Sequence, residues 1–139
     1  MFRTIDETLL VAGQIAPEDV ATAAAQGVRT IINNRPDGEQ PGQPSAATIE
    51  AAATAAGLGY VHIPIDHSGF SMEQIEAMTA ALAQPGPALA FCRSGTRSTF
   101  LWALARGLAG DAPAEIAAKA ANAGYDVAPL MGMITSLQR

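Results

Sequence analysis

Ala88-Leu89-Ala90-Phe91-Cys92-Arg93-Ser94-Gly95-Thr96-Arg97-Ser98-Thr99 is the stretch on which the reading of this chain turns. Its first four residues form an apolar run of strand length, bounded upstream by Pro85-Gly86-Pro87. Cys92 to Ser98 reads as a loop, and Thr99 to Leu108, apolar and containing Trp102, reads as a helix. A strand that ends at a cysteine, turns through a glycine and opens a helix directs several backbone N–H groups at one point, which is a geometry that holds an oxyanion.

The same strand-then-helix unit recurs on either side. Leu9 to Ala12 is a strand ended by Gly13, and Pro17 starts a helix that runs to about Gln26 and stops at Gly27. Val28 to Asn33 is a β-branched strand, and Asn34 to Ser45, with three prolines and two glycines, is a loop at its carboxyl end. Ser45 caps a helix over Ala46 to Ala56, Tyr60 to Pro64 is a strand, and Ser71 with Gln74 forms a capping box for a helix ending before Pro85. Ala114 to Ala123 and about Val127 to Leu137 are the last two helices. The alternation predicts a single three-layer α/β domain over residues 1–139, with a mainly parallel sheet of four to five strands and helices on both faces. Ligands then bind beyond the carboxyl ends of the strands, where Cys92 falls.

Composition narrows the function. With 139 residues the chain forms one core, so chemistry is sought in one site. A net charge of −5 argues against a nucleic-acid surface. No stretch has the roughly 20 apolar residues of a membrane span, and no signal peptide is read at the N-terminus. A single cysteine excludes an internal disulfide framework and a multi-cysteine metal site, and the expected location is the cytoplasm. No metal and no cofactor are expected, since two histidines without cysteine partners do not supply a ligand set.

In the Cys92 loop, Gly95 permits the tight turn, while Arg97 and the positive end of the following helix dipole favour the thiolate, the reactive form of the sulfur. Arg97 forks onto an anion, with Arg93, Ser94, Gly95, Thr96 and Ser98 as further substrate contacts. Ser98 or Thr99 is placed to donate to the sulfur. The competing assignment, a buried core cysteine, leaves the adjacent Arg-x-Gly-x-Arg cluster without a purpose. Asn34, Arg35, Asp37 and Glu39 sit at the same sheet edge, with Arg35 the one expected to meet a substrate anion; for the others a solvated polar loop is the favoured reading.

Cys-x-x-Gly with a following arginine resembles the phosphate loop of cysteine-based tyrosine and dual-specificity phosphatases, and Cys92-Arg93-Ser94-Gly95-Thr96-Arg97-Ser98 also resembles the active-site loop of rhodanese-type sulfurtransferases. Val11-Ala12-Gly13-Gln14, Gly27 to Glu39, Tyr60 to Pro64 and the Cys92 loop together resemble the phosphatase-like domain of beta-lactamase-hydrolase-like proteins. That resemblance implies a cysteine-phosphatase-like fold and an upstream aspartate as general acid, which maps to Asp66, with His67 as assistant or replacement. It implies a phosphomonoester hydrolase working through a cysteinyl-phosphate on Cys92. The alternatives are a sulfurtransferase carrying a persulfide on Cys92 and a non-catalytic anion-binding module. The expected partners are a small anionic or phosphorylated substrate, or a thiol sulfur acceptor; the sequence leaves the oligomeric state open. Two departures from the phosphatase pattern stand out. The usual Cys-x5-Arg is here Cys-x4-Arg, which puts Ser98 at the arginine position, and Phe91 replaces the histidine before the cysteine. A loop shorter by one residue makes the tighter cradle that goes with a sulfane sulfur in rhodanese-like proteins.

Overall fold

Period-two alternation along the central strands divides their side chains between two cores, and this division builds the layers. The computed structural model describes residues 2–139, so Met1 of the expected domain lies outside the described residues. Five strands, β1 (Arg3–Asp6), β2 (Leu9–Ala12), β3 (Thr30–Asn33), β4 (Gly59–His62) and β5 (Ala88–Phe91), form one sheet in the order β1-β2-β5-β3-β4. Leu89 and Phe91 of β5 and Ile31 of β3 pack with α1 (Pro17–Ala25) and α2 (Ala46–Ala55). Ala88, Ala90 and Ile32 face the opposite way, against α3 (Met72–Leu82), α4 (Thr96–Ala109), α5 (Pro113–Asn122) and α6 (Met131–Leu137).

Chain direction explains the layering. From β2 the chain passes over the β5 position to β3 and then β4, with α1 and α2 as crossovers; from β4 it returns through α3 to insert β5 between β2 and β3. Crossovers between parallel strands are right-handed, so reversing the direction of travel moves the helix to the other face. The crevice at such a reversal lies beyond the carboxyl ends of the strands, and β5 delivers Cys92 into it.

The expected architecture is present, with differences at the edges. β1, unforeseen in the sequence, pairs antiparallel with β2. Only its Ile5 is buried among four residues, so it carries no apolar run to announce it. β3 begins at Thr30 rather than Val28, and β4 closes at His62 rather than Pro64, whose ring nitrogen has no hydrogen to give to a ladder. The final segment divides into a 3-10 turn, Ala128–Leu130, and α6, because Pro129 sits inside it. The difference that matters most is the start of α4. It begins at Thr96, three residues earlier than expected, because Gly95 at φ 90° acts as the N-cap and the chain turns helical immediately after it. Arg97 therefore stands in the first helical turn rather than in a loop.

Candidate active site

The loop after β5 is held by its carbonyls. Cys92 N–H donates to Ala12 O (3.4 Å), continuing the β2–β5 ladder by one residue. Arg93 C=O accepts from Gln14 N–H (3.3 Å), Ser94 C=O accepts from Tyr125 Oη (3.1 Å), and Gly95 C=O accepts from Thr99 N–H (2.9 Å) and Thr99 Oγ1 (2.8 Å). Every peptide bond among the described residues is trans, so a carbonyl drawn to one side sends the following N–H to the other. Gly95 N–H accordingly points inward and donates to Cys92 Sγ at 3.1 Å. Two glycines make this possible. A Cβ on Gly13 would lie 2.9 Å from Arg93 O, and one on Gly95 would overlap Tyr125 Oη while also straining a left-handed backbone.

Cys92 has no exposed surface. Its sulfur nonetheless differs from that of a core cysteine, because it accepts an amide hydrogen and adds to the field that raises the Arg97 pKa above the ordinary guanidinium value, after the larger effect of the Glu39 hydrogen bonds.

Glu39 organises the cationic side of the site. Its carboxylate takes a two-pronged ion pair from Arg97, NH1 to Oε2 and NH2 to Oε1, both 2.8 Å, and a third hydrogen bond from Arg35 Nε at 2.8 Å. Arg97 NH1 also donates to Ile65 O at 2.6 Å. These donors, Arg97 first, pull the Glu39 pKa from 4.5 down to about 2, so the group stays ionised.

The structure redistributes several of the expected roles. Arg35 does not face the mouth: its side chain is 2% exposed, and its guanidinium is taken up by Glu39, Gln14 Oε1 (3.0 Å) and Gln40 Oε1 (2.9 Å). A buried arginine needs such partners, and with them it fixes Glu39 rather than a substrate. Ser98 Oγ donates to Asn34 Oδ1 at 2.8 Å and Thr99 Oγ1 to Gly95 O, so neither hydroxyl reaches the sulfur. Both are fully buried on the inner side of α4 because the early helix start turns them there. Ser94 and Thr96 pair with each other, Ser94 Oγ to Thr96 Oγ1 at 3.1 Å. Asp37 caps the backbone of Ala46 at 2.7 Å.

Arg93 and Arg97 line a cavity of about 270 Å³ with Glu39 and His67. Asp66 is not among its walls. It is exposed, bound to the N–H of Ser68 at 2.8 Å and to the Ser68 hydroxyl, and lines a separate hollow with Ser68, Phe70 and Gln74. The Ser68 hydroxyl and amide lower its pKa. The structure thus brings Gly95 and Arg97 to Cys92, brings Arg93 and His67 to the cavity beside Arg97, and leaves Asp66 outside that cavity. Among the described residues no set of three or more His, Cys, Asp or Glu gathers as metal ligands. Gln14 and Tyr125 were not legible as site residues. Gln14 stands beside a glycine in the Val-Ala-Gly-Gln run, a weak signal, and Tyr125 follows Gly124 with nothing in the sequence tying it to Ser94.

Residues 1–110 match the family described as beta-lactamase hydrolase-like protein, phosphatase-like domain. A beta-lactamase hydrolase-like protein of Agrobacterium fabrum is 41% identical over 107 residues, which is 76% of this chain and 25% of that protein. The chain therefore spans about a quarter of the length of the curated relatives it matches. Among solved structures, a phosphatase candidate from Neisseria meningitidis is 31% identical with a TM-score of 0.83, covering 97% of this chain and 96% of that one. Pseudomonas aeruginosa TpbA is similar in fold, with a TM-score of 0.68 at 16% identity, covering 99% of this chain and 88% of its own.

Proposed function

Because the chain belongs to the family of the beta-lactamase hydrolase-like phosphatase-like domain, we propose that it is a phosphomonoester hydrolase in which Cys92 is the nucleophile. The observation that carries this reading is the inward Gly95 N–H on Cys92 Sγ, within a loop whose three successive carbonyls are tied outward. Amides fixed in this way stabilise the oxygens of a phosphoryl group without reorganising during the reaction.

On this reading the substrate phosphate settles through the cavity of Arg93 and Arg97 and takes the Gly95 N–H from the sulfur. The Cys92 sulfur lone pair forms the S–P bond as the P–O bond to the leaving group breaks, and an acid gives that oxygen its proton. Water then attacks phosphorus, loses a proton to the same group and releases inorganic phosphate and the thiolate. We assign the acid to His67, because it lines the cavity with the two arginines while Asp66 is bonded to the Ser68 amide and hydroxyl in a separate hollow. His67→Gln is expected to lower kcat on alkyl phosphates by about 10²-fold and to spare aryl phosphates, whose leaving groups need no proton. Asp66→Asn is expected to have the smaller effect of the two. The reverse ranking in steady-state assays would return the acid to Asp66.

A sulfurtransferase is the second reading, favoured by one observation: Arg97 comes one residue earlier than in the phosphatase pattern and is engaged by Glu39. Mass spectrometry after rapid acid quenching separates the two. Exposure to an aryl phosphate is expected to add one phosphoryl group to Cys92, and exposure to thiosulfate is expected to add nothing. A single added sulfur with thiosulfate, and no phosphoryl adduct, would replace the hydrolase with sulfur transfer. We infer a small or peptide-borne phosphomonoester as the substrate class.

A further inference from the structure

Three carbonyls of the Cys92 loop are tied outward, and their anchors are not alike. Arg93 C=O is held by the backbone of Gln14 and Gly95 C=O by the first turn of α4, both of which are parts of the main-chain framework. Ser94 C=O is held by one side chain, the hydroxyl of Tyr125, at 3.1 Å. The Ser94–Gly95 peptide is also the unit whose N–H reaches Cys92 Sγ. If that peptide turned over, its carbonyl oxygen would face the sulfur and repel any anion bound there, and the best-placed amide donor would be lost.

We propose that Tyr125 is a positioning residue that fixes the Ser94–Gly95 peptide with its N–H toward the anion site. This rests on the oxyanion-binding role proposed above for the loop and adds the part of the molecule that sets it. Tyr125 is itself held firmly. Its N–H donates to Ala120 O at 2.9 Å, the Arg3 guanidinium stands 5.7 Å from its ring centroid, and Arg3 NH1 donates to Ala123 O at 2.9 Å. The phenol is partly desolvated, which raises its pKa and keeps the hydroxyl protonated as a donor. The family match ends at residue 110, so Tyr125 belongs to a part of the chain that the match does not cover. The C-terminal segment thus acts as a strap from β1 across the loop.

Tyr125→Phe tests this, since it keeps the ring, the Arg3 contact and the packing and removes only the hydroxyl. Two readouts are taken on the full chain: the backbone amide of Gly95 in a nitrogen–proton NMR spectrum without ligand, and the dissociation constant for inorganic phosphate by titration. In the phenylalanine variant the Gly95 amide is expected to shift and exchange faster with solvent. Phosphate affinity is expected to fall about fivefold to tenfold, the worth of roughly one hydrogen bond, while the thermal midpoint stays near that of the wild type. A general loosening of structure would move the midpoint and many amides together and would overturn the proposal. So would an unchanged Gly95 amide with unchanged phosphate affinity. If the Gly95 amide responds but the wild type binds no phosphate, the positioning by Tyr125 stands and the hydrolase reading fails.

Discussion

Cys92→Ser is expected to abolish phosphomonoester hydrolysis, with kcat/KM falling by about 10⁴-fold or more. The reason is chemical rather than structural. A serine hydroxyl is a feeble nucleophile unless a base removes its proton, and the groups near Cys92 Sγ are a backbone N–H and a guanidinium, both of which are donors. The substitution should leave the fold alone, because the smaller oxygen still accepts the Gly95 N–H and the loop carbonyls keep their partners. Phosphate binding should survive for the same reason, so the variant should hold a phosphoester without turning it over. Assays on aryl and alkyl phosphates with a parallel phosphate titration check both halves. A serine variant retaining the hydrolysis found in the wild type would remove thiol chemistry from this protein and leave an anion-binding module.

The layers and the place of the site were legible in the sequence because they follow from local signals. Gly27 and Gly57 end helices in left-handed conformations, the Ser71–Gln74 capping box opens α3 as read, and the apolar run Ala88–Phe91 places β5 without ambiguity. β1 is not legible, because an edge strand with one buried residue carries no periodicity to read. The site was half legible. Cys92, Gly95 and Arg97 announce themselves by type and spacing, but which way a side chain turns depends on where a helix begins. Starting α4 at Thr96 rather than Thr99 sends Ser98 inward to Asn34 and Arg97 outward to Glu39. Arg35 shows the same limit from the other side. An arginine on a loop beside an anion site suggests a ligand contact, and only the three-dimensional placement of Gln14, Gln40 and Glu39 around it reveals a buried brace. Tyr125 and Ser94 are 31 residues apart, and no pattern in one dimension encodes such a contact.

Arg97→Ala is expected to cost about 10³–10⁴-fold in kcat/KM, and Arg97→Lys about 10²-fold. Removing one fixed donor from an oxyanion site typically costs about 10²–10³-fold, and the loss of the guanidinium charge beside Cys92 adds to it. Lysine restores the charge but not the fork, and it cannot bridge both Glu39 oxygens while donating to Ile65 O. The same pair controls acid stability, with a definite sign. The folded Glu39 carboxyl titrates at about 2 against 4.5 unperturbed, so its contribution is complete above pH 4.5 and is lost as pH falls toward 2. After allowance for solvent at a partly exposed pair, that contribution is on the order of 2 kcal/mol. Arg97→Ala leaves Glu39 with Arg35 alone, so its carboxyl titrates nearer the ordinary range and the stability gained between pH 2 and 4.5 shrinks. Urea unfolding across that range, paired with kinetics at neutral pH, reads both consequences from one variant. Should the alanine variant keep activity within tenfold while losing the acid-range stability, Arg97 would be a brace for Glu39 only, and the anion would be held by the loop amides and Arg93.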